Sequence, residues 1–519
     1  MGCLPSRGTM NRRWSWSATA QATTGRCRAH LATGGKLEPI FQNSGFYDSL
    51  GQMYAMLSST QGGWPVLSCE GRFMGASAWG NMDRLTNPYY AALRSVFHYD
   101  ADGLVYLNRS LANWAAGGHK NPYTRRLSEV LGPPIPLDKM WHPDAILKVE
   151  DIEHAPITRD RVDKAAAVQL VFEDGLFHIV GHLIRKTKSP RLVLSGGTAL
   201  NCVANMRLME HFDEKWFERY TGLKNTRLHL WIPPVPNDEG VASGAAINFA
   251  MKAGVPVGKP GSKLTNPFLC GLPPTRDEIQ SALDAAPDIG FEQLPNVNEV
   301  EGRLHVADML GEIISRNGVI GIFQGAAETG PRALGHRSFL ANPANPDTLK
   351  VLNSLVKFRE VIRPLAPMST LKSALEFFEL SPGGSDDNYN SYNYMILTAP
   401  AKPRAYEVIP AVIHHDGTSR VQIVRPDVDP FCHAYLEALG RRIGAEVSVN
   451  TSLNVGAPIA QTPEQALETI RRSAGMHGLL MIAADGTCWM AWHNIRTSHK
   501  DEGETIRRFM SEYSGAVGA

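Results

Sequence analysis

The chain has 519 residues, 43% of them hydrophobic and 20% charged, with a formal net charge of +1. That length holds about two to four domains, each able to bury its own core. With a near-neutral balance nothing points to a bulk polyanion such as DNA, or to an anionic membrane surface, as the partner, so any phosphate site must be a local concentration of charge.

Taken in chain order, the first 35 residues stand apart: they carry Arg7, Arg12, Arg13, Arg26 and Arg28, many Ser and Thr, and no acid. Such a composition suits an organelle-targeting segment or a mis-read gene start, and the second reading sets residues 1–34 outside the fold. A strand at Leu37–Ile40 and a helix through Leu50, Tyr54 and Leu57 follow. Residues 81–160, rich in Pro, Asn, Trp and Tyr, read as a loop-heavy insertion, and Trp79 just before it with Trp114 and Trp141 inside it offer faces for stacking. Val168, Phe172, Leu176, Ile179 and Leu183 then lie on one stripe of a helix. A buried strand at Arg191–Leu194 leads through Ser195-Gly196-Gly197 into a helix over Leu200–Glu210. The unit recurs as a strand at Leu228–Ile232, a loop, and a helix over Gly240–Lys252. Two strand–loop–helix units in tandem predict an α/β layer with its site at the strands' C-terminal edge.

A second domain is expected from residue 299, after a Pro/Gly/Asn-rich crossing. It opens with a helix ending at Ser315 and a strand at Val319–Phe323, followed by strands at Asn393–Thr398, Arg420–Val424 and Val447–Val449, with a tail beyond 500. No apolar run approaches the ~20 residues that span a bilayer. The seven cysteines are scattered without a Cys-x-x-Cys pair, which argues against a zinc knuckle or disulfide framework and for a reducing cytoplasm.

The densest chemistry lies at Glu328-Thr329-Gly330-Pro331-Arg332-Ala333-Leu334-Gly335-His336-Arg337-Ser338, directly after a buried strand. Glycines admit close backbone approach, and Arg332 and Arg337 present forks that fit phosphate or carboxylate. Lys357, Arg359 and Arg363 follow, the first two as neighbours on one side of an extended stretch. At 4 Å a unit-charge pair interacts by roughly 4 kcal/mol at an effective dielectric of 20, so five cations together call for an anion. A solvated basic face, with Glu328 and Glu360 pairing some of it, is the alternative. His415 and Arg420 flank a turn at Asp416-Gly417, and Asn450 and Asn454 supply amides able to read a small neutral group. In the first domain, Gly196 and Gly197 sit where free N–H groups attract anions, and Asn237 and Asp238 occupy the matching junction. Asp238 reads equally as a helix cap or as a metal or nucleotide contact. His178 and His182 share a helical face, on the flank of a helix that runs away from the loop ends, and a metal role is not assigned to them.

In this order, Leu194–Asn201, Pro236–Gly240, Glu328–Ser338, Val356–Glu360 with Arg363-Pro364, and Asn450–Asn454 resemble the NodU/CmcH carbamoyltransferases. Leu67–Gly75 is similar to that family's Glu-Gly-Lys-x-Met-Gly segment. The likeness runs from about Gly34 to Asn494. It implies an α/β protein: an actin/Hsp70-like, Kae1-like lobe over 35–298, here incomplete, and a YrdC/Sua5-like domain over 299–500. It further implies that ATP, with Mg2+, and carbamoyl phosphate yield a carbamoyl adenylate, whose carbamoyl group passes to a small-molecule hydroxyl. By position, Arg332, Arg337, Lys357, Arg359, Arg363, His415 and Arg420 would hold phosphates, with Asn450 and Asn454 nearby. Gly196, Gly197, Asn201 and Asn237 would line the adenylate pocket, Glu70 would meet its ribose, and Asp238 would ligate a metal, Fe2+ in such enzymes. The family's opening His-Asp-Gly strand and its His-x-x-x-His pair have no counterpart in residues 1–44, where His30 stands alone. A homodimer is implied, without nucleic acid or membrane. Two further readings stand beside it: a tRNA threonylcarbamoylation enzyme, and a truncated, non-catalytic nucleotide-binding protein.

Overall fold

A computed structural model describes residues 13–17, 27–33, 36–45, 47–63, 70–118, 120–136, 156–257, 266, 268–360, 362–382, 390–494 and 502–517. The chain forms two compact units, residues 1–264 with 381–391, and residues 265–380 with 392–519. The boundary expected at 298/299 therefore falls earlier, because the strand over 289–294 hydrogen-bonds into the second unit's sheet. Trp141 of the expected insertion lies outside the described residues.

In the first unit, β1 (Arg13–Ser17), β2 (Cys27–Thr33) and β3 (Lys36–Asn43) form an antiparallel meander. Helices α1 (Leu50–Thr60) and α2 (Glu70–Ser77) follow. The expected loop-heavy stretch instead carries α3 (Tyr90–Arg94), a hairpin of β4 (Phe97–Tyr99) and β5 (Val105–Leu107), α4 (Trp114–Gly117) and α5 (Arg125–Leu131). Trp114 is buried there, which removes it as a stacking face. The 32-residue α6 (Pro156–Thr187) comes next, and all five residues of its expected stripe are buried. By length and composition α6 could cross a membrane, yet 78% of its apolar window is buried inside the protein, as befits a core helix.

The unit closes with β6 (Arg191–Ser195), a 3-10 turn over Gly197–Leu200, α7 (Cys202–His211), α8 (Glu214–Thr221), β7 (His229–Trp231) and α9 (Gly240–Lys252). The sheet order is β3-β2-β1-β6-β7. Strand β1 pairs in parallel with β6, Trp14 opposite Leu192, and β6 in parallel with β7. This corrects the expectation that residues 1–34 lie outside the fold: β1 occupies the middle of the sheet, and without it β2–β3 would have no partner. The tandem β6–α7 and β7–α9 units stand as read from the sequence.

The second unit runs β8 (Leu269–Cys270), α10 (Arg276–Asp284), β9 (Ile289–Leu294), α11 (Val300–Ser315), β10 (Ile320–Gln324), β11 (Ala327–Glu328) and β12 (Arg337–Ala341). It continues with α12 (Thr348–Val351), β13 (Ala366–Ser369), α13 (Leu371–Phe377), β14 (Ala399–Pro400), α14 (Pro403–Val408), β15 (Thr418–Ser419) and β16 (Gln422–Ile423). It ends with α15 (Pro430–Ile443), β17 (Val447–Ser452), α16 (Pro463–Arg472), β18 (Gly478–Ile482), β19 (Cys488–His493) and α17 (Glu502–Val517). Eight strands form one sheet in the order β16-β13-β17-β12-β10-β18-β19-β9. Leu310, Ile313 and Ile314 of α11 and Leu436 and Leu439 of α15 cover it, packing with Ile320, Ile322 and Leu480 in one core. The strand expected over Asn393–Thr398 is instead a 3-10 turn over Ser391–Tyr394 followed by irregular chain. The Ser391 hydroxyl, still in the first unit, accepts from Ile232 N–H, and Asn393 Nδ2 donates to Ile423 O.

Candidate functional sites

In the second unit the loop between β11 and β12 winds around one carboxylate. Glu328 is buried, and its Oε1 accepts from the N–H groups of Leu334 at 2.6 Å and His336 at 2.8 Å. Its Oε2 accepts from Arg337 N–H at 3.0 Å. Three charge-assisted bonds of this kind hold a loop far more firmly than its glycines would. Gly335 has φ +107°, and a Cβ there would lie 3.1 Å from Met368 Cε and 3.2 Å from Cys432 Sγ, so only glycine fits. From the sheet, Gln324 Nε2 donates to Gly335 O at 3.0 Å and Gln422 Nε2 to Leu334 O at 2.8 Å.

Asn450 completes the clamp. It lies opposite Leu340 of β12 and Ala366 of β13, and its Nδ2 donates to Ala333 O at 3.1 Å and Gln422 Oε1 at 2.7 Å. Its Oδ1 is buried and takes no hydrogen bond from the described residues. A buried acceptor left over in this way is the mark of a missing donor.

Arg337 is a correction. Its side chain was expected to reach a phosphate, but it is 1% exposed. Nη1 donates to Gln324 O at 2.6 Å and His336 O at 3.0 Å, and Nη2 donates to Gly325 O at 3.1 Å. The guanidinium lies 3.8 Å over the Phe323 ring. Burial pulls its pKa down to about 10, against the opposing pull of Glu328. Arg337 therefore shapes the loop from behind, a role invisible in a list of cations.

Lys357 is buried too, with its ammonium on Ser452 O, Ser452 Oγ (3.1 Å) and Asn454 Oδ1 (2.6 Å). Ser452 Oγ itself donates to Asn454 Oδ1 at 2.7 Å. Burial, then the nearby Arg359 and Arg363, push the Lys357 pKa well below its ordinary value. The stretch is not extended as expected. A π-turn over Leu352–Val356 precedes it, and Phe358 turns left-handed at φ +48°. Buried Asn353 holds the bend: its O accepts from Arg359 N–H at 2.8 Å, its Oδ1 from Arg359 Nε at 2.5 Å, and its Nδ2 donates to Arg363 O at 3.0 Å. The structure thus brings together Lys357, Arg359, Arg363 and Asn454.

The turn at Asp416-Gly417 feeds β15, whose partner is β14. His415 is exposed at its tip and Arg420 half-buried at its base. Arg420 Nε is buried and donates no hydrogen bond to the described residues. Arg332 is likewise half-buried, in the loop that Glu328 holds.

In the first unit, both expected loops meet at the C-terminal edge of β6 and β7. Gly196 N–H donates to Pro236 O at 2.6 Å, and Ser195 Oγ to the same oxygen at 3.0 Å. Gly196 has φ +107° and ψ 165°, a region essentially reserved for glycine. Next to it, a Cβ on Gly197 would meet nothing within 4 Å, so its face is open to a ligand. Asn237 Oδ1 is buried and takes no hydrogen bond from the described residues. Glu70 is half-buried at the start of α2. Asn201 is corrected: its side chain is buried and occupied, with Oδ1 capping α7 through Ala204 N–H at 3.0 Å.

Sequence reasoning missed Gln324, Gln422, Asn353, Gln169 and Glu173, the polar residues behind both loops. The only available signal was a polar side chain within an apolar strand or helix stripe, as at Gln324 after Ile320–Phe323.

Two family profiles divide the chain much as the units do. "Carbamoyltransferase N-terminus" matches residues 3–247 and "Carbamoyltransferase C-terminus" residues 311–484. This chain belongs to the carbamoyltransferase family, of NodU/CmcH type. Among its relatives, nodulation protein NolO of Bradyrhizobium diazoefficiens is 31% identical over 68% of this chain and 62% of that protein. The uncharacterized protein sll1178 of Synechocystis is 29% identical over 82% of this chain and 65% of that one. Nodulation protein NolNO of Sinorhizobium fredii is 29% identical over 60% and 42%. The chain thus matches less than two thirds of each relative's length. A crystal structure of full-length HypF aligns with 44% of this chain and 34% of its own at 12% identity, with a TM-score of 0.23, a likeness too slight to carry an argument.

For a carbamoyltransferase of this type the metal expected at Asp238 has to be tested against the residues present. Asp238 is exposed, and the described residues contain no group of three His, Cys, Asp or Glu able to hold a metal. His178 stacks on Tyr99 with centroids 4.9 Å apart, and His182 packs against the Phe41 ring at 6.1 Å. The described residues do not make a metal site, and no step is derived through one. Nor is Asp238 a helix cap: α9 starts from Glu239 without a side-chain cap bond.

Proposed function

We propose that this carbamoyltransferase is an ATP-dependent O-carbamoyltransferase: its second unit activates a carbamoyl group and its first unit passes it to a hydroxyl of a small molecule. The observation that carries the reading is the pair of family matches, one on each unit, each covering one of the two glycine-framed loops. In the reaction, carbamoyl phosphate and water give carbamate and phosphate. A carbamate oxygen then attacks the α-phosphorus of ATP, displacing pyrophosphate and leaving carbamoyl adenylate. Finally an acceptor hydroxyl adds to the carbamoyl carbon, its proton leaves, and AMP departs.

The residues support the first stages by charge. Lys357, Arg359 and Arg363 crowd together around the Asn353 bend, and an ammonium destabilised first by burial and then by two guanidinium neighbours gains most from a polyanion. Arg332, His415 and Arg420 are the remaining cations of the reading, and Mg2+ would enter as the ion that accompanies ATP. Asn450 Oδ1, buried and unclaimed, suits the N–H of a carbamoyl group. In the transfer unit, Gly197 presents open backbone, Asn237 a spare acceptor, and Glu70 and Asp238 are the carboxylates of the two neighbouring loops. The β6/β7 edge is where ligands of such α/β sheets bind, which supports the actin/Hsp70-like reading of the unit. The YrdC-like reading of the second unit rests on the resemblance and the profile match. A small-molecule hydroxyl of the natural-product or nodulation-factor type, which the family resemblance implies, is the proposed acceptor, with a cytoplasmic setting and a homodimer as expectations.

The test is carbamoyl-phosphate-dependent ATP–pyrophosphate exchange, followed by acceptor carbamoylation. Exchange is expected in the native protein and lost in Arg332→Ala. Its absence from folded protein, or its indifference to that change, refutes the adenylation step. Exchange without transfer to any hydroxyl acceptor refutes the transfer step.

A further inference from the structure

Beneath the Gly196–Gly197 turn the first unit buries a polar chain that the carbamoyl chemistry does not use. Glu173 and Gln169, both on α6, are 2% and 0% exposed. Glu173 Oε1 accepts from Gln169 Nε2 at 2.9 Å. Gln169 Oε1 accepts from the Tyr54 hydroxyl at 3.0 Å and from Asn201 Nδ2 at 2.8 Å. Asn201 Oδ1 accepts from Ala204 N–H at 3.0 Å and from Gln169 Nε2 at 3.2 Å. Each amide has its polarity set by its neighbour, and an ionised carboxylate is the one member that can only accept. Were Gln169 reversed, its NH2 would face the donors of Tyr54 and Asn201. Were Asn201 reversed in turn, its NH2 would face Ala204 N–H and the cap of α7 would be lost.

From Asn201 the chain reaches the turn directly. Asn201 N–H donates to Thr198 O at 3.1 Å, Ala199 N–H to Gly196 O at 2.9 Å, and Asn205 Nδ2 to Ala199 O at 2.8 Å. The charges acting on Glu173 are Arg207 of α7, Arg84, whose Nη2 lies 3.7 Å from Oε2, and Asp174. Burying a carboxylate this deeply costs stability that an apolar residue would not. Its polarity therefore has a use.

We propose that Glu173, acting through Gln169, is a positioning residue for the Gly196–Gly197 turn: it fixes the orientation of Asn201, and with it the N–H groups that the turn and the start of α7 offer to a phosphoryl ligand. The identity of that ligand rests on the transfer-unit reading above; the positioning does not.

A polarity swap separates the two. The full chain is compared at pH 8 with Gln169→Glu and with the double variant Gln169→Glu/Glu173→Gln. In the single variant two buried carboxyl groups face each other and share a proton, with no amide left to fix the polarity at 169; in the double variant the carboxylate at 169 again accepts from Tyr54, Asn201 and the new amide. Amide exchange at Ala204 should quicken about tenfold in the single variant, as expected for a lost cap, and return to within about threefold of native in the double. AMP binding by calorimetry should follow the same order. Native-like protection in Gln169→Glu, or a double variant no better than the single one, overturns the proposal. If the single variant fails to fold, recovery of the native melting temperature by the double is the same rescue, and no recovery overturns it. Rescue at Ala204 in a protein that never binds AMP upholds the positioning and refutes the nucleotide reading.

Discussion

Lys357 Nζ donates to Asn454 Oδ1 at 2.6 Å across 97 residues of sequence. This bond joins the bend after the π-turn to the end of β17 and buries a cation beside two more. Replacing Lys357 with Met keeps the volume of the stem but removes the charge. The expected result is a loss of ATP–pyrophosphate exchange of about 100-fold, with the melting temperature little changed because a buried charge also leaves. Lys357→Arg should not rescue it, since a planar fork does not fit three acceptors arranged for an ammonium.

Glu328→Gln tests the loop. The amide can offer one carbonyl oxygen to Leu334 and His336, but its NH2 then faces Arg337 N–H. A buried donor set against a donor costs roughly 1–3 kcal/mol, read as a lowered urea midpoint at unchanged slope. Exchange activity should fall with it, because Arg332 sits in the same loop.

Adjacent glycines should behave oppositely. Gly196→Ala forces an L residue to φ +107° and should cost roughly 1–3 kcal/mol in unfolding experiments. Gly197→Ala adds a methyl to open space and should leave stability within about 0.5 kcal/mol of native. Its effect should appear instead as weakened AMP binding and slower acceptor carbamoylation.

Glu173 makes stability depend on pH. Burial raises its pKa from 4.5 to about 7, more than Gln169, Arg207 and Arg84 lower it. A raised acid binds its proton more tightly in the folded than in the unfolded state. Its contribution is thus fully present below pH 4.5 and is lost as pH rises through 7. Denaturation midpoints between pH 4.5 and 8 should show this loss, superposed on other groups, and Glu173→Gln should flatten it. An unchanged pH profile in that variant refutes the assignment.

Much of the chain was legible without coordinates. The apolar stripe of α6, the β6–α7 and β7–α9 units, the glycine turns and the cation-rich segment from Gly330 to Arg363 all announce themselves through local period and residue type. The ordered motifs identify the carbamoyltransferase family, which the family profiles match. What the sequence misjudged was non-local. Residues 13–17 look foreign by composition, yet the parallel pairing of β1 with β6 places them inside the sheet, and no composition rule encodes a partner nearly 180 positions away.

The same reason divides the cations. Arg337 and Arg332 are alike in sequence, five residues apart in one glycine-framed loop. Arg337 is turned inward onto main-chain carbonyls because Glu328 coils that loop around itself. Asn201, read as a ligand contact, is instead tied to Gln169, 32 positions away, while Asn450 spends its NH2 on Gln422, 28 positions away, and keeps its Oδ1 free of hydrogen bonds among the described residues. By itself the sequence determined which chemical groups are present and which local elements carry them. Only the tertiary structure decided which donors and acceptors are already spent, because a hydrogen-bonding group can serve a ligand only where folding has not satisfied it first.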